Sequence, residues 1–139
     1  MIDCETVTTG ESLQEVRVRT HTLRADMSVA SGGADAGPDP HEYFDTALAA
    51  CKNLTAVWYA KRNGIPLERV ESHVERDDSK ERQGAYTLRL RQVFHGPLTE
   101  EQRAKLHAAV ARCPIHKLMT STEVTIESLD AAAAAEVAT

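Results

Sequence analysis

The sequence predicts an α+β fold in which helices pack on antiparallel sheet. Residues 40–63 carry a helical pattern of more than five turns, with apolar side chains at three- and four-residue steps. Two alternating segments, residues 67–76 and 85–94, flank a charged loop and read as a β-hairpin. Thr99, followed three residues later by Gln102, is a capping box that opens a second helix.

Taken in order, residues 4–9 fit a first strand, ended by Gly10-Glu11-Ser12. Leu13 to Val29 alternates, with Val16 and Val18 on one side and Arg17 and Arg19 on the other. A half-buried strand or hairpin accommodates this, and a strand would put both arginines on one face. Such a face is ordinarily just solvated. Gly37-Pro38-Asp39-Pro40 then disfavours helix ahead of the second proline. Beyond it Phe44, Leu48, Cys51, Thr55 and Trp58 form the expected apolar side, and four alanines keep helix propensity high. Gly64 is the expected stop. Cys51 lies near the middle of this helix, where a cysteine is ordinarily a small hydrophobe.

Residues 77–84 read as an exposed, mobile hairpin tip. His95-Gly96-Pro97 breaks the strand, and Glu100 and Glu101 follow where the helix dipole favours acids. Leu106, Ala109 and Val110 give this helix an apolar stripe to about Arg112. Cys113-Pro114 starts a short helix running through Leu118, and Val124 to Ile126 alternates as a last strand. The Ala-rich end, about residues 130–139, is expected to fray. No repeat or linker divides residues 1–139, so one domain is expected.

A net charge of -5 argues against a nucleic-acid or anionic-membrane partner, both of which need concentrated positive charge. No apolar run approaches a membrane span, and the first twelve residues lack the regions of a signal peptide. Three cysteines, an odd number, argue against a disulfide scaffold. A soluble, cytoplasmic protein with reduced thiols is expected.

The chemistry available is sulfur chemistry. Cys113, ahead of Pro114, is the expected N-cap of the short helix, where the positive dipole end lowers a thiol pKa. His116 and Lys117 add nearby polar groups, although a plain buried cap would have the same sequence. Cys51 and Cys113 lie on different helices; if those helices pack together, the pair can cycle between dithiol and disulfide. Peroxide attack needs a cation beside the thiolate and an acceptor to orient that cation. Glu42 and the Arg17/Arg19 pair are the available suppliers, although Glu42 also fits simply as an acid in a first helical turn. Cys113-x-x-His116 has metal-ligand spacing, but no second compact Cys/His pair completes a tetrahedral site. Neither a nucleotide-binding glycine motif nor a serine-triad signature is present, so no cofactor is expected.

Gly37-Pro38-Asp39-Pro40-His41-Glu42-Tyr43-Phe44, continued by Ala47-Leu48-Ala49-Ala50-Cys51, resembles the first-cysteine motif of the OsmC/Ohr family. These are the osmotically inducible protein C and organic hydroperoxide resistance proteins. Cys113-Pro114-Ile115-His116-Lys117-Leu118 is similar to the family's second-cysteine motif, and the resemblance runs from about residue 20 to residue 129. It implies an intertwined homodimer whose long central helices are wrapped by antiparallel sheet, with active sites near the subunit interface. It also implies thiol-dependent reduction of organic hydroperoxides, with Cys51 as the attacking cysteine and Cys113 as the resolving one. An external dithiol, such as a lipoylated protein, would then reduce the disulfide. Glu42 matches the glutamate that holds the family's catalytic arginine. That arginine lies in a glycine-rich loop in hydroperoxide-resistance members, whereas Thr9-Gly10-Glu11-Ser12 here has none. Arg19, or Arg17 as the alternative, is the expected substitute. The helix-end argument alone favours Cys113 as the more acidic thiol; the resemblance places the attack at Cys51. Cys4 matches nothing in the family. The missing loop arginine leaves a second expectation, a binding or redox-sensing protein with an apolar pocket at the dimer interface.

Overall fold

The computed structural model describes residues 1–129. Strands β1 (Ile2–Thr6), β2 (Gln14–Val18) and β3 (His21–Ala25) form an antiparallel sheet in that order. The first strand lies earlier than expected, because the chain turns at once after the last rung, Thr6 with Gln14. There the Glu11 N–H donates to the Thr8 carbonyl at 3.0 Å. The alternation of residues 13–29 resolves into a hairpin in which Val18 pairs with His21 around Arg19-Thr20. Arg19 adopts φ 55 in this turn. It has left the strand, so the expected shared face with Arg17 does not form.

Beyond β3 the chain is pinned to deliver the long helix. The buried Asp26 carboxylate accepts from the Ser12 hydroxyl, from the Met27 N–H at 2.8 Å and from the Ala36 N–H at 3.0 Å. Gly37 crosses so close that a Cβ would stand 2.8 Å from the Arg24 carbonyl oxygen. The Tyr43 hydroxyl donates to that same carbonyl. Helix α1 (Pro40–Arg62) begins with Pro40 in its first turn and a reciprocal capping box. The Asp39 carboxylate accepts from the Glu42 N–H at 2.8 Å, and the Glu42 carboxylate accepts from the Asp39 N–H at 3.0 Å. Lys61 and Arg62 occupy its last turn, and Gly64 follows at φ 63, the left-handed conformation glycine adopts without a Cβ penalty.

The side of α1 that faces the core is not the one expected. Leu48, Lys52, Ala56 and Ala60, at steps of four, are buried. Of the expected stripe only Leu48 is buried; Phe44 is 47 % exposed and Trp58 58 %. Small alanines allow close approach of the neighbouring elements, and the bulky side chains turn outward.

Strands β4 (Arg69–Asp77) and β5 (Thr87–His95) form a separate two-stranded hairpin, close to the expected bounds. Polar contacts fasten it to α1. Ser72 donates to the Asn53 side-chain oxygen at 2.6 Å, and the Arg76 guanidinium and Tyr86 hydroxyl donate to Asp45 at 2.7 and 2.6 Å. Burial, and then the Asp45 carboxylate, push the Tyr86 hydroxyl up to about 12. The charged loop holds a 3-10 turn at Glu81–Gln83, and Glu81 meets His41 of α1 at 2.5 Å. The loop is therefore tied to the helix rather than only solvated.

Helix α2 (Glu100–Val110) opens with the expected Thr99/Gln102 capping box, and α3 (Pro114–Ser121) follows after Cys113. Ala56 and Ala60 of α1 pack with Ile65, Phe94, Leu106 and Val110 in the core. Residues 124–126 form no strand. A strand exists only as half of a hydrogen-bonded ladder, and these residues have no partner within the described chain; Ile126 is 86 % exposed. The expected frayed tail falls on residues 130–139, outside the described residues. Among the described residues no helix is long and apolar enough to cross a membrane.

Candidate active site

Two cysteines distant in sequence meet where α1 passes the junction of α2 and α3. Cys113 caps α3, and its sulfur accepts from the His116 N–H at 3.4 Å. The side chain is fully buried. Cys51 is half-buried, and its thiol lies near enough to that of Cys113 to act on its ionisation, with no disulfide between them. Packing of Leu106 and Val110 on Ala56 and Ala60 holds α2 against α1, and this carries Cys113 to Cys51.

Cys51 opens onto a groove of about 880 Å³. Its walls are Ala47, Leu54, Thr55, Trp58 and Tyr59 of α1, with Ala109, Arg112, Pro114 and Ile115 opposite. The groove therefore gives solvent and apolar molecules direct access to Cys51, whereas Cys113 is fully buried.

Electrostatics separate the two sulfurs further. Burial pushes the Cys113 thiol above its ordinary range and outweighs the His116 N–H, which acts in the opposite sense. The neighbouring Cys51 thiol raises it as well, and the charge of Lys52 lowers it. The acidity expected of a helix N-cap is therefore overturned by desolvation.

Lys52 itself was not legible as a site residue. It is 3 % exposed, and its amine donates to the Val110 carbonyl at 2.6 Å and to Nδ1 of His116 at 2.8 Å. Arg112, on the groove wall, was likewise passed over; its place next to Cys113 was the available signal.

The other expected site residues stand apart from the groove. The Glu42 carboxylate is engaged in the α1 capping box, and among the described residues no arginine forms an ion pair with it. Arg17 pairs with Glu15 at 2.8 Å and Glu5 at 3.3 Å, and these two carboxylates raise its pKa. Arg19 sits exposed in the β2–β3 turn. None of the three lines the groove beside Cys51. Cys4 is exposed on β1. Among the described residues no group of three or more His, Cys, Asp or Glu side chains is placed to hold a metal ion.

A long helix, two antiparallel sheets and adjacent thiols beside an apolar groove define an α+β protein with a cysteine pair able to form a disulfide. The chain belongs to the OsmC family: a family model described as OsmC-like protein matches residues 31–128. The fold is shared with solved structures of low sequence identity. An OsmC-like protein from Mycoplasma pneumoniae superposes with TM-score 0.70 at 20 % identity, over 88 % of this chain and 87 % of that one. An organic hydroperoxide resistance protein OsmC from Legionella pneumophila gives 0.61 at 20 %, over 87 % and 88 %. The organic hydroperoxide resistance protein OhrB of Bacillus subtilis gives 0.59 at 19 %, over 88 % and 90 %. No curated protein sequence matches the chain.

Proposed function

We propose that the protein is a thiol-dependent peroxidase that reduces organic hydroperoxides. The observation that supports this most directly is the juxtaposition of two free thiols from different helices, the half-buried Cys51 and the buried Cys113. The Cys51 thiolate attacks the terminal peroxide oxygen, the O–O bond breaks, and the alkoxide leaves as an alcohol after protonation. Cys51 is now a sulfenic acid. Cys113 attacks its sulfur, water departs, and a Cys51–Cys113 disulfide remains. An external dithiol, a lipoylated protein or another small dithiol, returns both cysteines to thiols.

The apolar groove favours an organic hydroperoxide over hydrogen peroxide, since its walls have few polar groups to hold a small hydrophilic oxidant. Two relatives of the same fold are named for organic hydroperoxide resistance, which supports the same substrate class. Glu42 is carried into this proposal by the family resemblance and Arg19, or Arg17 in its place, as the substitute for the missing loop arginine, although none of them lines the groove; Arg112 is a cation already on the groove wall. The chain acts as a homodimer. Support for this comes from the exposed apolar side of α1, where Leu54 is 69 % exposed beside Trp58 and Phe44.

One equivalent of cumene hydroperoxide added to the reduced protein tests the sequence of steps. Mass spectrometry is expected to find the Cys51–Cys113 disulfide in the wild type. In Cys113→Ser, a dimedone-trapped sulfenic acid is expected at Cys51. Oxidation at Cys4 or Cys113 with Cys51 untouched contradicts it. A second reading, a binding or redox-sensing protein that uses the groove for an apolar ligand, is favoured by the placement of Glu42, Arg17 and Arg19 away from Cys51. Unreactive cysteines together with ligand uptake in the groove would select it.

A further inference from the structure

We propose that Lys52 is the buried cation of the dithiol centre, stabilising the Cys113 thiolate released when an external dithiol opens the Cys51–Cys113 disulfide. The disulfide itself rests on the peroxidase cycle proposed above; the role of Lys52 follows from its surroundings.

A lysine is an unusual member of a stripe otherwise made of Leu48, Ala56 and Ala60. Burying an ammonium is costly unless an anion or strong acceptors compensate it. Lys52 has two hydrogen-bond partners, the Val110 carbonyl and Nδ1 of His116, and neither is a carboxylate. None of the ion pairs among the described residues includes it. Its charge is thus held in place and left without a counter-ion. The two partners lie on either side of Cys113, Val110 at the end of α2 and His116 in the first turn of α3. The anion that would complete this arrangement is a thiolate at Cys113. The charge of Lys52 already acts on the resting thiol, pulling it down against the burial that raises it.

Accessibility fixes which sulfur is attacked. Cys51 faces the groove, whereas Cys113 is 0 % exposed. A thiolate of the external dithiol bonds to Cys51 sulfur, the S–S bond breaks, and its electron pair departs on Cys113. The dithiol's second thiol then displaces Cys51 and closes its own disulfide. Two electrons pass from the external dithiol to the protein, and the two protons it gives up end on Cys51 and Cys113. The leaving thiolate meets the His116 N–H and the Lys52 charge in a site that water does not enter, where charge acts most strongly.

The groups that face Cys113 are Cys51 and Lys52 from α1 and His116 from α3, with Arg112 preceding it in sequence. In a protein carrying Cys4→Ser and Cys51→Ser, Cys113 is the remaining thiol, and thiolate absorbance near the far ultraviolet follows its ionisation. Adding Lys52→Gln, which keeps a hydrogen-bond donor and removes the charge, is expected to raise the midpoint by about one pH unit or more. Lys52→Arg is expected to restore most of it, with circular dichroism verifying the fold in each case. An unchanged midpoint in a folded Lys52→Gln protein overturns the proposal. A second arm needs no Lys52 variant: wild-type protein oxidised with diamide and exposed briefly to glutathione is expected to carry the mixed disulfide on Cys51. A glutathione adduct on Cys113 overturns it equally. Neither arm uses a peroxide, so loss of the peroxidase reading would leave both results interpretable.

Discussion

Cys113 and Cys51 are neighbouring thiols that differ in what surrounds them. Desolvation raises the Cys113 thiol, while the groove brings solvent and substrate to Cys51. The motifs around both cysteines were legible because each is a local run of residues. The raised pKa of Cys113 was not, since its burial depends on α1 packing that no run around it encodes. Lys52 was invisible for a related reason: a lysine in a helix reads as a solvated face, and only the stripe through Leu48 and Ala56 turns it inward. Asp26 gives this scale its pH prediction. The Ser12 hydroxyl, followed by the Ala36 N–H, holds its carboxylate below the ordinary value of 3.8. A group depressed in the folded state contributes stability above its unfolded pKa and loses it as pH falls through the folded one. Stability of the wild type is therefore expected to decline below about pH 4 more steeply than that of Asp26→Asn, measured by urea unfolding across pH 2–6. Parallel acid limbs would remove Asp26 from the account of the 26–36 loop.

Helix α1 is the element on which everything else registers. Its N-terminus is fixed by Asp39 and Glu42 in a reciprocal box, a device worth about 1 kcal/mol in typical helices. The Asp-x-x-Glu spacing was present in the sequence, as was the Thr99/Gln102 pair that marks α2. Helix extents and the β4–β5 hairpin were likewise legible, because caps, prolines and alternation act over a few residues. The phase of the buried side of α1 was not, because the elements packed against the helix decide it: Leu48, Lys52, Ala56 and Ala60 go inward and Phe44, Leu54 and Trp58 go outward. Those outward side chains make an element-scale prediction. If they form the homodimer interface, Leu54→Asp with Trp58→Asp yields a folded monomer in analytical ultracentrifugation while the wild type sediments as a dimer. A wild-type monomer, or a dimer that tolerates both aspartates, places the contact elsewhere or nowhere.

At the scale of the whole molecule, the described residues form two separate sheets, β1–β2–β3 and β4–β5; α1 is tied to the first through Tyr43 and Arg24 and to the second through Asp45 and Asn53. The α+β class was legible from element types and order. The unpaired state of residues 124–126 was not, since alternation signals a strand's willingness to pair and says nothing of a partner. The fold, the meeting of the cysteines and the apolar groove are the observations on which the proposed peroxide reduction at Cys51 rests. The direct test is steady-state loss of cumene hydroperoxide and of hydrogen peroxide with dithiothreitol as reductant, on the wild type and on Cys51→Ser. The account predicts rapid consumption of the organic peroxide, slower consumption of hydrogen peroxide, and background rates for both in Cys51→Ser. Equal turnover in the wild type and Cys51→Ser, or none above background in either, would contradict it.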